Sequence, residues 1–205
     1  MLRFEQLCKS YGAKRVLRDA GGHFARGAFA LRGPNGVGKS TLLGVLAGAV
    51  EADSGAVWIG GQSLQDAPVA AKARLAYAPD ECPVYPFMTG RELLAFVAFA
   101  KRCVLAPEVM EIAARFGLDS HLDTRCGEMS LGTQKKIMLA AAWIGAPSVM
   151  LFDEPSNGLD AAARELLIAR LRACSADKAI VVSTHDHAFA QAIGATTIEF
   201  DTLNG

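Results

Sequence analysis

The segment that most constrains the fold of this chain is a glycine-rich stretch, GPNGVGKS, at residues 33–40. The short apolar run FALR precedes it, and TLLGVLAG, which follows it directly, reads as an apolar helix. Glycines let the backbone curl until successive N–H groups face one anion at the helix N-terminus, where the helix dipole favours negative charge. The spelling, GxxxxGK followed by Ser or Thr, and the order strand, loop, helix together predict a phosphate-binding loop.

An accidental glycine-rich turn is the alternative to a phosphate loop. The chain has 20 glycines in 205 residues, and its composition gives on the order of 0.01 chance matches to the full motif. In a loop of this kind Lys39 meets the β and γ phosphates of a nucleotide, and the Ser40 hydroxyl ligates Mg²⁺. The loop alone leaves many nucleotide enzymes open, including small kinases of this length.

A second chemical signal is the apolar run VMLF, which leads into Asp153 and Glu154. In open α/β sheets ligands bind at the carboxyl ends of the strands, so we expect both carboxylates at the same edge as the phosphate loop. There Asp153 can hold Mg²⁺ together with Ser40, and Glu154 can orient or deprotonate a water that attacks the γ-phosphate. Strands that end in acidic residues are common, and it is the pairing with the loop that makes this one informative.

The first 61 residues read as short strands separated by turns, LRFEQL, HFARGAFALRG and GAVWIGG. Gly21-Gly22 and Gly60-Gly61 are the turn signals, and a helix over residues 39–46 lies between the last two strands. This pattern predicts an N-terminal antiparallel β subdomain.

Helical signals dominate residues 86–145. Thr89 and Glu92 form a capping box, Pro107 begins a further helix and Gly117 ends it. We expect a helical subdomain inserted at about 86–145 of a single domain that spans residues 1–205.

The C-terminal part alternates strand, helix and strand. VMLF and AIVVS are continuous apolar runs, as expected for parallel strands covered on both faces, and AAARELLIARLRAC between them has a helical period. A strand, a crossover helix and a second strand imply a mostly parallel sheet flanked by helices. The predicted class is α/β, of the P-loop NTPase type.

Charge and hydropathy exclude some functions. The 21 Lys+Arg balance 21 Asp+Glu, so a nucleic-acid partner is not expected, because such affinity depends on a surplus of basic residues. The chain is 51% apolar with a mean hydropathy of +0.23, yet its longest apolar run, 137–152, contains Pro147 and is shorter than the ~18 residues of a membrane span. Since Glu5 interrupts the N-terminal apolar stretch that a signal peptide needs, we expect a cytoplasmic protein.

The five cysteines lie far apart without a CxxC pair, and an odd count does not suit a disulfide framework. We expect free, mostly buried thiols. The four histidines are scattered, and only the HDH stretch at 185–187 suggests a metal pair, without cysteines at zinc spacing. A structural metal site is not expected.

Three further segments accompany the loop and the acidic strand end along the chain: SLGT at 130–133, EPSNGLD at 154–160 and STHD at 183–186. With them, the chain resembles the ATPase subunit of ATP-binding cassette (ABC) transporters over nearly its whole length and in the family's order of motifs. The resemblance implies a P-loop ATPase that binds ATP and Mg²⁺.

The resemblance also implies a role for each matching residue. Tyr11 matches the aromatic that stacks on adenine, with Val16 packed beside it. Asp153 and Glu154 match the Mg²⁺ aspartate and the catalytic glutamate, and His185 matches the switch histidine that contacts the γ-phosphate. In isolation such a histidine would more often be structural. The remaining matches are the phosphate loop (Gly33, Pro34, Asn35, Gly36, Val37, Gly38, Lys39, Ser40 and Thr41), the signature (Ser130, Gly132 and Thr133) and the loop that communicates between protomers (Asp160).

Two motifs depart from the family's usual spelling. The signature, usually LSGGQ, reads MSLGT here, with Leu131 for a glycine and Thr133 for the glutamine, and this puts the affinity of the closed dimer in question. Asp80 stands where the family usually has a glutamine that coordinates Mg²⁺. Its oxygen still suits a hard cation, while its charge adds to those of the two carboxylates above. Glu81 takes this position instead if the loop shifts by one residue.

Weaker signals have structural explanations as well. Trp58 and the apolar stripe within 93–99 could form a partner groove, but core packing is the commoner reason for such spacing. Residues 83–88, aromatic and rich in proline, should form a surface loop, which by resemblance faces the coupling helix of a membrane subunit. Lys135-Lys136 reads as a solvated helix face.

The resemblance implies the ATPase subunit of an exporter, peripheral on the inner face of the cell membrane and joined there to separate transmembrane permease subunits. Two copies are expected to form a homodimer in which each ATP lies between one copy's phosphate loop and the other's signature. A small P-loop kinase explains neither residues 130–133 nor His185, and intact Glu154 opposes a nucleotide-gated module without turnover.

Overall fold

The computed structural model of the chain describes residues 1–81 and 84–205. Within these residues nine strands form two sheets. Their bounds are β1 Leu2–Tyr11, β2 Lys14–Phe24, β3 Gly27–Arg32, β4 Ser54–Ile59, β5 Gln62–Ser63, β6 Leu75–Ala78, β7 Val149–Asp153, β8 Ala179–Ser183 and β9 Thr196–Glu199. The helices of the same residues are α1 Lys39–Leu46, α2 Pro68–Ala73, α3 Gly90–Ala100, α4 Pro107–Arg115, α5 Leu131–Ala141, α6 Ala161–Cys174 and α7 His187–Ala192, with 3-10 turns at Cys126–Glu128 and Phe200–Thr202.

The two sheets differ in the direction of their strands. One has five strands in the order β6-β7-β8-β3-β9, and every neighbouring pair is parallel. The other is antiparallel, in the order β2-β1-β4-β5. A parallel sheet flanked by helices, beside an antiparallel sheet, confirms the predicted α/β class of the P-loop NTPase type.

The parallel sheet separates two hydrophobic cores. Every residue of β7 and β8 is buried, and β7 directs Met150 and Phe152 into one core and Val149 and Leu151 into the other. The first core is shared with α3 to α6, and the second with α1 and the strands β1, β2 and β4. This burial on two sides accounts for the continuous apolar runs in the sequence. No helix of the described residues is both long and apolar enough to cross a membrane.

Local capping signals determine where several helices begin and end. α1 covers Lys39–Leu46, as the sequence predicts. At the start of α3 the Glu92 N–H donates to Thr89 Oγ1 at 3.2 Å and the Thr89 N–H donates to the Glu92 carboxylate at 2.8 Å, which is the predicted capping box. α4 begins at Pro107, and Gly117 follows it with a φ of +75°.

The prediction of a turn at Gly21-Gly22 is wrong, because both glycines lie within β2. Gly22 pairs with Phe4 of β1, and a Cβ on Gly22 would lie only 3.0 Å from Phe4 Cζ. The glycine therefore makes room for a fully buried aromatic ring. The Gly60-Gly61 turn is confirmed, with φ angles of +57° and +83°.

The weaker apolar signals have mixed outcomes. Leu93–Leu94 are buried in the core, as expected, whereas Phe96 and Phe99 of the same helix are exposed. Trp58 is half-buried under the Arg3 guanidinium, which lies 3.9 Å from the ring centroid, so the core prediction for Trp58 is wrong.

The cysteines are less buried than the sequence predicts. Among the described ones only Cys126 is buried, while Cys8, Cys103 and Cys174 are partly exposed, and all four are free thiols. Cys82, like Pro83 of the predicted surface loop, lies outside the described residues.

The packing of Gly22 predicts that one added methyl group destabilises the fold. Gly22→Ala should lower the free energy of unfolding by about 1–3 kcal/mol, because the new Cβ meets the confined ring of Phe4 and overpacks the core. Urea unfolding followed by circular dichroism measures the loss. Gly21→Ala is the matched control, since its Cβ would lie 3.7 Å from Phe4 O, an ordinary contact. Equal losses for the two variants would contradict this explanation.

Candidate functional site

A cavity of about 710 Å³ opens at the carboxyl edge of the parallel sheet, within the range of roughly 300–1,000 Å³ that is usual for ligand sites. β7 and β8 end beside it at Asp153 and Ser183, and α1 begins beside it at Lys39. Most of the predicted site residues line this cavity: Tyr11, Val16, Asn35, Gly36, Gly38, Lys39, Ser40, Thr41, Asp80, Asp153, Glu154 and His185.

The backbone of the phosphate loop curls ahead of α1. Gly33, Gly36 and Gly38 have φ angles of +150°, +74° and +123°, a region that favours glycine. A Cβ on Gly38 would lie 2.6 Å from Val16 Cγ1, so close packing also demands a glycine there. No side chain of the described residues caps the start of α1, and its first-turn N–H groups remain available to an anion.

Lys39 lies inside this loop with only 7% of its surface exposed. Its Nζ donates to the carbonyl oxygens of Gly33 at 2.8 Å and Pro34 at 3.0 Å, and lies 3.5 Å from His185 Nε2. The two carbonyl partners carry no charge. A buried ammonium held by neutral carbonyls is suited to an anionic ligand, so the loop fits a phosphate group.

Three residues of the predicted loop do not line the larger cavity. Gly33 borders a neighbouring cavity of about 370 Å³, Pro34 supplies a carbonyl to Lys39, and Val37 packs against the core. These three residues belong to the loop but do not line the 710 Å³ cavity.

Asp153 is a buried carboxylate that lines the same cavity as Lys39, with 5% of its surface exposed. The register of β7 and β8 pairs Asp153 with Ser183, and the Ser183 hydroxyl donates to Asp153 Oδ1. Burial raises the pKa of the Tyr77 hydroxyl to about 12, and the negative charge of Asp153 adds to this rise. A buried carboxylate that accepts from a neutral hydroxyl is suited to a cation.

Oxygen-bearing side chains for a divalent cation line the same cavity, namely Ser40, Asp80 and Asp153. Across residues 1–81 and 84–205 no cluster of three or more His, Cys, Asp or Glu side chains has the arrangement of a metal site. Mg²⁺ does not need one, because it usually takes one or two carboxylates and completes its shell with waters and substrate phosphates. The residues therefore fit a Mg²⁺ ion that arrives with a phosphorylated ligand.

Glu154 has an unusual backbone conformation just after β7. Its φ of +44° lies in the left-handed region, which costs a non-glycine residue about 1–2 kcal/mol and recurs at functional sites. The Glu154 N–H donates to Ser183 O at 3.0 Å. The carboxylate faces His185, where Oε2 accepts from the backbone N–H at 3.4 Å and Oε1 lies 3.5 Å from Nε2. Carboxylate and imidazole therefore meet beside Lys39.

The prediction that Lys135 and Lys136 form a solvated face is wrong. Lys135 is 7% exposed, and its Nζ donates to Asp80 Oδ1 at 2.9 Å and to the Glu154 backbone oxygen at 2.7 Å. Lys136 pairs with Asp160, and this hydrogen bond is the main cause of the lowered pKa of Asp160. Both lysines are fixed in place because acidic side chains and a backbone carbonyl from other segments face them.

The signature residues lie outside the 710 Å³ cavity. Ser130 caps α5 by accepting from the Thr133 N–H at 3.1 Å. Gly132 and the exposed Leu131 border a separate cavity of about 400 Å³. Asp160 caps α6 and likewise does not line the larger cavity. A single copy of the chain does not bring its signature to its own phosphate loop.

Three residues that the sequence patterns did not single out also line the larger cavity: Lys14, Asn157 and Ser183. Ser183 ends an apolar strand. It could therefore have been predicted, as Asp153 was, from the rule that ligands bind at the carboxyl ends of parallel strands. Lys14 faces Tyr11 across the turn between β1 and β2, a pairing that depends on strand register. Asn157 lies in the segment after Glu154 and carries no signal of its own in the sequence.

Comparison with known families matches residues 22–157 to the ABC transporter family. Among curated proteins, the chain is 36% identical over 192 residues to the Nod factor export ATP-binding protein I of Paraburkholderia xenovorans (strain LB400). That match covers 90% of this chain and 62% of the relative. The chain thus spans about three fifths of the length of the curated relatives that it matches.

Solved structures show the same fold. One, described as the structure of the ATP binding subunit of an ABC transporter, superposes with a TM-score of 0.88 at 30% identity and covers 97% of this chain and 85% of that one. A second has a TM-score of 0.83 at 21% identity, with 97% and 94% of the two chains covered. It is described as the dimeric structure of a post-hydrolysis state of an ATP-binding cassette bound to ADP and Pi.

Proposed function

The chain belongs to the ABC transporter family, and from this premise we propose that it is the ATP-binding and ATP-hydrolysing subunit of an exporter. The observation that carries the proposal is Lys39, a buried ammonium held by two loop carbonyls at 2.8 and 3.0 Å. It shares one cavity with Asp153 and Glu154, which joins a phosphate site to the carboxylates that hydrolysis requires. The name of the Paraburkholderia relative, an export ATP-binding protein, supports the direction of transport.

In this proposal ATP lies along the cavity from Tyr11 to Lys39. Tyr11 is half-exposed at the end of β1 and offers a ring face for stacking on adenine, with Val16 packing beside it. The loop N–H groups and Lys39 bind the phosphates. Gly36 has open space at its Cβ position, which leaves the loop backbone accessible to the ligand.

Ser40 and Asp153 would hold Mg²⁺, with Asp80 as a further oxygen donor. A bound ion would supply positive charge that offsets the negative charge of the phosphates during the reaction. The Ser183 hydroxyl orients the Asp153 carboxylate. Because Asp153 is buried, its charge is poorly screened by solvent and salt.

Glu154 is the general base of the proposed reaction. It takes a proton from a water whose oxygen attacks the γ-phosphorus, while the bond to the bridging oxygen breaks and ADP leaves with the electron pair. His185, 3.5 Å from both Glu154 Oε1 and Lys39 Nζ, orients the carboxylate and contacts the γ-phosphate. Lys39 stabilises the charge on the transferred group.

A second copy of the chain would complete the site. The signature lies outside the cavity of its own chain, and the apolar side chain of Leu131 beside it is 80% exposed. In a homodimer, Ser130, Gly132, Thr133 and Asp160 of one copy face the phosphate loop of the other. The dimeric description of one structural relative supports this arrangement. ATP then closes the dimer and hydrolysis reopens it, a population shift driven by affinity for the closed state.

An exposed aromatic patch supports docking to separate transmembrane permease subunits. We define the patch as Tyr85, Phe87, Phe96 and Phe99, of which Phe87 and Phe99 are 70% and 80% exposed. The Tyr85 ring centroid lies 5.8 Å from that of Phe87 and 5.7 Å from that of Phe96. Contiguous exposed apolar surface of this kind marks interaction sites. In the proposal a permease covers the patch and holds the chain at the cytoplasmic face of the membrane.

Replacing Lys39 with alanine should remove most of the affinity for ATP. The variant lacks the ammonium that meets the phosphates, and charged hydrogen bonds contribute about 1.5–3 kcal/mol, so we expect the Kd for Mg-ATP to rise on the order of tenfold to a hundredfold. Isothermal titration measures it. The exposed Lys14 lines the same cavity, and Lys14→Ala should have a smaller effect. Equal losses would mean that general positive charge, and not the loop, holds the nucleotide.

Replacing Glu154 with glutamine should trap an ATP-bound dimer. The glutamine keeps the shape of the side chain but cannot accept a proton, so the dimer closes without the hydrolysis that reopens it. Size-exclusion chromatography in excess Mg-ATP should show the dimer, and phosphate release should fall on the order of a hundredfold or more. The Lys39→Ala/Glu154→Gln double variant should remain monomeric. A monomeric Glu154→Gln protein would count against the mechanism.

Charging the aromatic patch should separate permease docking from ATP binding. The Phe87→Asp/Phe96→Asp double variant should no longer co-purify with a membrane protein from detergent-solubilised membranes, because carboxylates oppose burial against an apolar partner. Its Kd for Mg-ATP should stay within about threefold of the wild-type value. Val69→Asp, on α2 and outside the patch, changes another exposed apolar residue and serves as the matched control. Loss of co-purification in the control would contradict the assignment of the surface.

A further inference from the structure

Lys135 joins two segments that border the nucleotide cavity. It lies on α5, yet its Nζ reaches Asp80 Oδ1, in the segment after β6, at 2.9 Å. The same Nζ donates to the backbone oxygen of Glu154, just after β7, at 2.7 Å. One buried ammonium therefore links two segments that follow neighbouring strands and line the cavity.

The contact with Glu154 matters because of that residue's backbone. With a φ of +44°, Glu154 is in a conformation that surrounding interactions must stabilise. Its N–H donates to Ser183 O at 3.0 Å. Its carbonyl oxygen accepts from Lys135 Nζ at 2.7 Å and, over a longer distance of 3.2 Å, from the Asn157 N–H. Both polar groups of the peptide units at Glu154 are thereby fixed, and with them the direction in which the carboxylate leaves the backbone.

The contact with Asp80 explains how an ammonium can remain at this position. Lys135 is 7% exposed, and a buried charge without a partner is strongly unfavourable. Asp80 is half-exposed and borders both the 710 Å³ cavity and the 400 Å³ cavity next to the signature. Its carboxylate forms an ion pair with Lys135. The ammonium in turn offsets the negative charge that Asp80 would otherwise add to the cavity it shares with Asp153.

We propose that Lys135 is a positioning residue for hydrolysis, which holds the Glu154 backbone in its left-handed conformation, with Asp80 as its counter-ion. The inference rests on the proposed role of Glu154 as the base. Asp80 then has a task in this chain besides that of an oxygen donor to the metal. Lys135 does not line the larger cavity, in which the proposed nucleotide lies, but borders the 400 Å³ cavity beside the signature.

The test compares Lys135→Gln, Lys135→Arg and Asp80→Asn with the wild type by phosphate release, by Mg-ATP titration and by thermal unfolding. Lys135→Gln should lower kcat on the order of tenfold to a hundredfold, because a misplacement of about 1 Å can cost about a hundredfold. KM and the Kd for Mg-ATP should change by less than about threefold, since the loop is untouched and solvent screens the freed charge of the half-exposed Asp80. Lys135→Arg, which keeps the charge and the donors, should recover part of the loss. Arg91→Gln removes an exposed ion pair with Asp123 and should leave kcat unchanged.

Two further comparisons distinguish positioning from a merely structural role. In a Glu154→Gln background, Lys135→Gln should cause no further loss of the residual turnover, because the carboxylate that it positions is already absent. The Asp80→Asn/Lys135→Gln double variant should lose less Tm than the sum of its two single variants, because the Lys135 ammonium is then not left buried without a counter-ion.

A wild-type kcat in Lys135→Gln would overturn the proposal, as would the same fractional loss in the Glu154→Gln background, or additive losses of Tm. An Arg variant no better than the Gln variant would also count against it. The proposed function fails in a different way: the wild type would release no phosphate, or Glu154→Gln would release it as fast as the wild type.

Discussion

The parallel pairing of β7 with β8 is the interaction on which the candidate site depends. Its register sets Asp153 opposite Ser183, and both strands are buried on both faces, so a slip of one residue would exchange the contents of the two cores. The strand ends then place Asp153, Glu154 and His185 around one cavity, with the phosphate loop arriving from β3 beside β8. The formal net charge of the chain is zero. A polyanion can still bind, because the charged groups that face it are positioned locally at the carboxyl edge of the parallel sheet.

The elements that could be predicted from the sequence are those whose signal is local. α1 follows its loop directly, β7 and β8 are continuous apolar runs, and the capping box marks the start of α3. β9 could not be predicted, because TTIE is short, polar and mostly exposed and becomes a strand only through its pairing with β3. β2 could be predicted only in part, because register shifts interrupt its pairing with β1 and because two adjacent glycines are typical of a turn unless the contact of Gly22 with Phe4 is known.

The residues of the candidate site likewise fall into those with a local sequence signal and those without one. The loop and the strand ends could be predicted because motif and position in a parallel sheet suffice to bring them together. The role of Lys135 could not be predicted, since its partners lie far away in the sequence: Asp80 is 55 residues away and Glu154 is 19 residues away. A charged pair of lysines on a helix reads as solvated unless the groups facing it are known, and those groups come from two other segments of the fold.

The burial of Lys135 also changes the meaning of Asp80. Considered alone, a carboxylate added beside Asp153 and Glu154 increases the repulsion in a site that must accept phosphates. Considered with Lys135 at 2.9 Å, it brings no net charge, because carboxylate and ammonium form a pair. A glutamine at position 80 would keep an oxygen for a cation but would leave the buried ammonium without its counter-ion. In this chain the two positions therefore constrain each other, and the acidic residue at position 80 is tolerated because of the buried lysine on α5.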